Sequence, residues 1–544
     1  MTAAAGPHIL AGPLSDGGAL IRDYAAAHDL SPFYTGHPGD LGAYVRKADE
    51  VAGRMDPATR ARVASAIQPL GDAADRLQRI IAGDGFFVTT GQQPALFGGP
   101  LYTPYKILAA IRLADVLERQ LARPVLALFW IGSDDHDWNE ANHATLLDAH
   151  AYTRRITVHA DGAAPALPLG DRVWGPDVGR AVGELFELLP DTPYSAGIRE
   201  HVRTAYTPDA TVASSFTATI RHLLGNRRLA IVDSGDRAVR RAAAPVLRRE
   251  AESAADNIAR VARQTARLIA AGYRAPVTVA PDASNIMLHD GQGRDRLMLT
   301  PGGWTTRRQR RVVATTELLH MIGAEPDRFS PNVLLRPVVE SALFPTIAYV
   351  AGPGEASYFA QIGCLFAAHG ILPPVVVPRP GVTLVESKTA AILERLGMQA
   401  SDVQLPFDEL ASRVIRRGLP ADIEASLAAI RESLHGGYAR LADATEAVDP
   451  TLRGPLLAAR DAGLMRANRT ERKIITHMRR REEVLMEQLR RAAANLYPGG
   501  KSQERVLNML YYTSRYGPDL IDAIGAALDM EPRFVASWAG PLCE

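Results

Sequence analysis

Phe86-Phe87-Val88-Thr89-Thr90-Gly91-Gln92-Gln93-Pro94-Ala95-Leu96-Phe97-Gly98-Gly99-Pro100-Leu101-Tyr102-Thr103-Pro104-Tyr105-Lys106 decides the fold. An apolar strand, Phe86–Thr90, runs into a polar, glycine-bearing loop. A helix follows, with Thr103 as its expected cap and Pro104 at its first position, where no amide hydrogen bond is lost. Lys106 is then expected in the first turn, where free amides and the helix dipole favour an anion. Ile107, Ile111, Ala114, Leu117 and Leu121 recur at helical spacing, so one face is buried. A second strand, Pro124–Ile131, ends in Gly132-Ser133-Asp134-Asp135-His136-Asp137. Such a strand–helix–strand unit has parallel strands, so both polar loops leave at the carboxyl edge of the sheet. In open α/β sheets, ligands bind at that edge.

The rest of the chain sets limits on partners. Its 544 residues can bury a large core in two or three domains. The 61 Lys plus Arg nearly balance the 60 Asp plus Glu, so no global field draws in nucleic acid or an anionic membrane. Two cysteines, Cys364 and Cys543, are too few for a disulfide framework or a cysteine-rich zinc site. The N-terminus has no charged-then-apolar signal pattern and no apolar run reaches spanning length, so a cytoplasmic protein is expected. There are 56 arginines but only five lysines: Lys47, Lys106, Lys388, Lys473 and Lys501. In that composition, a lysine at a glycine-rich loop suggests a point charge for phosphate.

Composition divides the chain into a core at 1–385, a helical antiparallel coiled coil at 386–495, and a tail at 496–544 expected to pack back on the core. The core holds inserts at about 151–225 and 270–310. A second strand–helix–strand unit is expected from Thr346–Ala351, through the loop Gly352–Glu355 and a helix Ala356–His369, to Pro374–Val377. Leu427, Ile430, Leu434, Tyr438 and Leu441 step by three and four, and Ile474, Met478, Leu485 and Leu489 continue the pattern in a second long segment. The fold class is therefore α/β: a Rossmann-like parallel-sheet core with inserted subdomains and a C-terminal coiled-coil hairpin.

Four titratable groups end the Pro124–Ile131 strand. His136 can donate to a phosphate or a leaving oxygen, and Asp135 or Asp137 can orient its ring or bind an amine. A solvated turn is the plain alternative. The spacing matches no tight metal motif, so no metal ligands are assigned and a metal requirement stays open. Gln92 and Gln93 can read a polar substrate, with Gly91, Gly98 and Gly99 allowing close backbone approach. Gly499-Gly500-Lys501-Ser502 lacks the upstream glycine and strand of a phosphate loop. Cys364, among Ile362, Leu365 and Phe366, is expected in the core.

Several blocks resemble the bacillithiol-biosynthesis cysteine-adding enzymes, the BshC family. They are Val88–Gln93, Gly99–Lys106, Phe129–Asp137, Phe329–Pro337, Tyr349–Glu355 and Leu496–Val506, in family order from about residue 86 onward. The resemblance implies a Rossmann-like core, a coiled coil used for homodimerisation, and ligation of L-cysteine to glucosaminyl-malate. It also implies a core similar to class I aminoacyl-tRNA synthetases. This sequence has neither their His-x-Gly-His signature nor their lysine-serine motif. Gly99–Lys106 and Gly381–Lys388 stand in those places.

Residue patterns and the resemblance together give three sets of residues, the core–coil-junction set being the one the resemblance implies. Lys106, Asp135, His136 and Asp137 are expected to be catalytic. Gln92, Gln93, Asn142, Asn332, Arg336, Gly354 and Glu355 are expected to bind substrate. ATP is expected at Gly98, Gly99 and Thr103, or near a core–coil junction at Arg379, Thr383, Leu384, Glu386, Lys501 and Tyr512. The small-molecule substrates are then L-cysteine, glucosaminyl-malate and ATP, with no nucleic acid or membrane. An adenylating or nucleotidyl-transferring enzyme on another acid, and a non-catalytic coiled-coil scaffold, are the rivals.

Overall fold

The computed structural model describes residues 6–13, 17–160, 166–290, 293–306, 308 and 312–533. Cys543 and the end of the tail lie outside them. The chain forms two compact units: one within 1–149, 154–384 and 504–544, the other within 150–153 and 385–503. Residues 496–503 thus belong with the helical unit, and residues 504–533 with the core.

The first unit is built on a six-stranded sheet. In chain order its strands are β1 (Gln68–Leu70), β2 (Phe86–Gln92), β3 (Val125–Ile131), β4 (Leu229–Asp233), β5 (Thr346–Ala351) and β6 (Val375–Pro378). Their order across the sheet is β6-β5-β2-β3-β4-β1. All neighbours are parallel except the short edge strand β1, which runs antiparallel to β4. Every residue of β3 and β5 is buried, as parallel strands covered on both faces must be.

The pleat sorts side chains between two cores. Phe86, Val88, Ala127 and Phe129 join one hydrophobic cluster with Leu108, Leu113 and Leu117 of helix α1 (Tyr102–Leu121). Phe87, Leu126, Leu128 and Tyr349 join the other with Phe359, Ile362 and Leu365 of α2 (Pro353–Ala368). The helices that follow the adjacent strands β2 and β5 therefore cover opposite faces. The sheet order reverses between those strands, and a crevice opens there at their carboxyl ends.

Two helix starts differ from the sequence expectation. Helix α1 begins at Tyr102 with Leu101 as its flanking residue, and the buried Thr103 hydroxyl has no partner. Thr103 is therefore no cap, and Lys106 sits one turn in. Gly352–Glu355 is not a free loop. Pro353 is the first residue of α2, and Glu355 turns back to accept from the Gly352 amide at 2.7 Å.

The insert near 270–310 forms a four-stranded antiparallel sheet of Ala283–Asp290, Gly293–Thr300, Gly303–Thr306 and Phe329–Pro331. The second unit holds the helices Ala421–Thr445 and Arg453–Arg481. Arg453 meets Asp443, and Arg431 meets Asn468, so the two run antiparallel. The second segment is not continuous: it breaks at Glu482 and resumes over Glu483–Leu496. There, Ile475, Met486 and Leu489, rather than Ile474, fill a small core. No helix among the described residues is long and apolar enough to cross a membrane.

Leu128 is fully buried in the central strand β3. Leu128→Ala leaves a cavity in the sheet core and should cost about 2–5 kcal/mol, read as a lowered midpoint of the first unit's urea transition.

Candidate active site

Lys106 lies in the crevice between β2 and β5. Its ammonium donates to the Gly91 carbonyl at the end of β2 and to Glu355 Oε2 at 2.5 Å, at the start of α2. Glu355 also accepts from Tyr349 Oη at 2.6 Å. The pair ties together the two loops that leave the sheet in opposite directions. Burial pulls the Lys106 pKa down from its ordinary value. Burial alone would raise the Glu355 carboxyl, but Lys106, Tyr349 and the Gly352 amide outweigh it and hold it below the usual range.

The pair continues into a buried ladder. Tyr349 Oη accepts from Arg336 at 3.1 Å, Tyr358 Oη accepts from the same nitrogen at 3.2 Å, and Arg336 binds Glu340 at 2.6 Å. Glu340 accepts from Thr89 of β2. Opposite charges alternate along it: Lys106, Glu355, Arg336, Glu340. Burial raises the pKa of the Glu340 carboxyl and lifts that of the Tyr358 phenol to about 12, so this tyrosine stays neutral.

The loop after β3 forms the opposite wall. Asp134 turns inward to Ser234 and to Arg294, whose guanidinium comes from the inserted sheet at 3.3 Å. His136 stays half-exposed, with Nδ1 3.6 Å from Asp135 Oδ1. Burial, followed by the charge of Arg294, lowers its pKa, so the ring is neutral at pH 7. Asp137 caps the short helix behind it, accepting from the Glu140 amide at 3.0 Å.

These walls enclose a cleft of about 580 Å³. Gln92, Gln93, Lys106, Asp135, His136, Asn332, Arg336, Gly354, Glu355 and Arg379 all line it. Two buried atoms on its lining residues, Trp130 Nε1 and His136 Nδ1, have no hydrogen-bond partner. Buried polar atoms are rarely left so, and a polar ligand would satisfy them. No group of three or more potential metal-ligating side chains occurs among the described residues.

Other expected residues lie elsewhere. Asn142 is buried away from the cleft, donating to the Val158 carbonyl at 3.2 Å. Gly98 and Gly99 take left-handed conformations, and the Phe97 and Gly99 carbonyls accept from Asn508 Nδ2 at 3.0 and 2.8 Å. Their role is to shape the turn before α1. Leu384 and Tyr512 are fully buried in the first core cluster. Thr383 sits on a short strand, Gly381–Val385, and does not line the cleft. Glu386, bound to Asn495, and the exposed Lys501 belong to the second unit. Of the expected nucleotide set, only Arg379 lines the cleft, held by Glu504 at 2.8 and 2.5 Å.

The sequence reading missed Tyr102, Trp130, Arg294, Arg296, Tyr349 and Tyr358 as lining residues. One local signal was present. Arg336 and Glu340 stand four apart on a helix, a spacing that pairs side chains. Arg294 and Arg296 alternate along one strand, and only the sheet's placement reveals their target.

The ladder gives a stability test. Arg336→Met strands Glu340, which is almost wholly buried, and should cost about 3–5 kcal/mol in denaturant unfolding. Arg336→Met/Glu340→Leu should recover a large part of that loss. Additive losses in the double variant would contradict the pairing.

Sequence comparison agrees with this architecture. Residues 12–380 match the family described as "Bacillithiol biosynthesis BshC, N-terminal Rossmann-like domain", and residues 382–531 match its "C-terminal coiled-coil domain". A Salinibacter ruber protein is 32% identical over 524 residues, covering 94% of each chain. A Chlorobaculum tepidum protein is 32% identical over 456 residues, covering 81% of this chain and 80% of its own. One from Symbiobacterium thermophilum is 32% identical over 543 residues and 95% of each. All three carry the name "Putative cysteine ligase BshC". With both of its domains matched and relatives aligned over nearly its whole length, the chain belongs to the BshC family.

Proposed function

We propose that this chain is a ligase that joins the carboxyl of L-cysteine to the amine of glucosaminyl-malate, completing bacillithiol, with ATP activating the carboxyl. The observation that carries this is the mixed charge of a single cleft at the sheet's switch point. Lys106, Arg294, Arg296, Arg336, Arg379 and Arg505 line it together with Asp134, Asp135, Glu140 and Glu355. Substrates bearing both ammonium and acidic groups suit such a lining, and a uniformly basic pocket would not hold the amines.

A carboxylate resists amine attack until one oxygen becomes a leaving group. Lys106 keeps a third N–H beyond its bonds to Gly91 and Glu355, and the start of α1 adds its dipole. Both stabilise negative charge on a phosphorylated oxygen. His136, neutral at pH 7, takes the proton that the attacking amine must lose, with Asp135 beside it. Gln92, Gln93, Asn332, Arg336, Gly354 and Glu355 shape the substrate's position. ATP is assigned to the same cleft, with Arg379 and Arg505 as its cations. The family's coiled coil supports a homodimer, as do exposed Ile430, Leu441 and Met465 on the hairpin. A cytoplasmic location follows from the substrates.

Lys106→Ala and His136→Ala should each lower ligation about 10²–10⁴-fold; His136→Ala should keep the wild-type melting transition, whereas Lys106→Ala strands Glu355 and should also lower it, so its turnover is read well below that transition. Wild-type turnover in either variant would overturn its role, and failure of the wild-type protein to consume cysteine and glucosaminyl-malate would overturn the function. The pH profile is a separate check. His136 is held neutral below its ordinary pKa, so protonation silences the base only at lower pH. The acid limb of kcat should fall below about pH 6.5 and should vanish or move in His136→Gln.

A further inference from the structure

A second cavity of about 540 Å³ shares Gln93, Asp135, His136 and Glu140 with the main cleft. Arg172 lines it too, and no part of the proposed chemistry uses that residue. The residue as a whole is 8% exposed. Its guanidinium stacks on the Trp138 ring, 3.9 Å from the centroid, and makes no ion pair or side-chain hydrogen bond with any described residue. A ring face stabilises a cation but takes none of its five donors, which stay available to a ligand.

The arrangement is fixed. Trp138 packs at 5.7 Å from Trp174, whose indole nitrogen donates to Ser215 at 3.0 Å. The segment leading to Arg172 is tied to the His136 loop: the Leu169 amide donates to the Asp135 carbonyl at 2.7 Å, and the Gly170 amide to the Ser133 carbonyl at 2.8 Å. A planar cation that no described side chain pairs is therefore anchored to the same loop as the proposed base.

We infer that Arg172 on its Trp138 shelf forms an anion subsite for the dicarboxylate end of the amine substrate. The guanidinium fork fits a carboxylate with two parallel bonds. Asp135, Asp137, Trp138, Asn139 and Glu140 line the same lobe. These acids repel a polyphosphate but accept an ammonium beside a carboxylate. An amino sugar carrying malate has both. His136 then stands on the wall between two lobes, with the acceptor on one side and the activated carboxyl on the other. The inference rests on the ligase proposed above for the identity of the acceptor, but not for the anion subsite itself.

Two measurements on the full chain separate these. Calorimetric titration uses L-malate, inorganic phosphate and glucosaminyl-malate as probes. L-malate and glucosaminyl-malate should bind the wild-type protein, and Arg172→Met should weaken both at least tenfold. Arg172→Lys keeps the charge without the fork, and should also weaken malate if the Met variant fails to fold. A merely structural arginine would leave Arg172→Met with a lowered melting temperature. The subsite predicts a melting temperature that is unchanged or higher without ligand, and no malate-induced rise. In turnover, KM for glucosaminyl-malate should rise at least tenfold, with KM for cysteine and ATP unchanged. Phosphate binding that Arg172→Met abolishes, with no malate binding, would overturn the dicarboxylate assignment. Equal affinities in wild type and both variants would overturn the subsite. Malate binding lost in Arg172→Met, in a protein that does not ligate cysteine, would leave the subsite standing and remove the ligase.

Discussion

One buried ion pair organises the functional end of this protein. Lys106 and Glu355 come from helices on opposite faces of the sheet, and their contact closes the gap where the strand order reverses. Neither charge is tolerable alone in that setting, because an isolated buried ion loses several kcal/mol of hydration. Each is therefore held in place by the other, and by partners that leave few alternatives: the Gly91 carbonyl for the lysine, Tyr349 and the Gly352 amide for the glutamate. The crevice that every doubly wound sheet offers becomes a cleft with fixed polar walls.

That constraint explains the surrounding polar ladder. A buried glutamate needs several donors, and Tyr349 is one. Tyr349 in turn accepts from Arg336, and Arg336 requires Glu340. Thr89 ends the chain back on β2, the strand that delivers Gly91. The far wall follows a different rule. There Asp134 is neutralised from within by Arg294, while Asp135 and His136 stay open to the cleft. Buried charges build the frame, and half-exposed groups are left for chemistry.

The parallel core was legible in the sequence because β2, β3 and β5 are apolar runs bounded by glycine, and burial on both faces demands such runs. The carboxyl-edge loops were legible for the same reason, since crossover handedness fixes where they emerge. The helix starts were less so. Gly352-Pro353 reads as a loop, although proline suits a first helical position, and the glutamate of that stretch anchors the first turn. Gly98, Gly99 and Thr103 looked like a phosphate cradle, yet the turn aims them into the core and at Asn508. Position along the chain carried no information about side-chain direction there. Arg172, Arg294 and Arg296 were invisible because they enter from inserts far away in sequence, and no local pattern marks where an insert folds down.

The central claim is that the crevice between β2 and β5 is where the ligation takes place. A diffraction structure of the full chain soaked with cysteine, glucosaminyl-malate and a non-hydrolysable ATP analogue tests it most directly. The predicted result is density for the reacting groups between Lys106 and His136, with the Lys106–Glu355 contact retained. Density for all three substrates on any other surface, with that crevice holding only solvent, would contradict it.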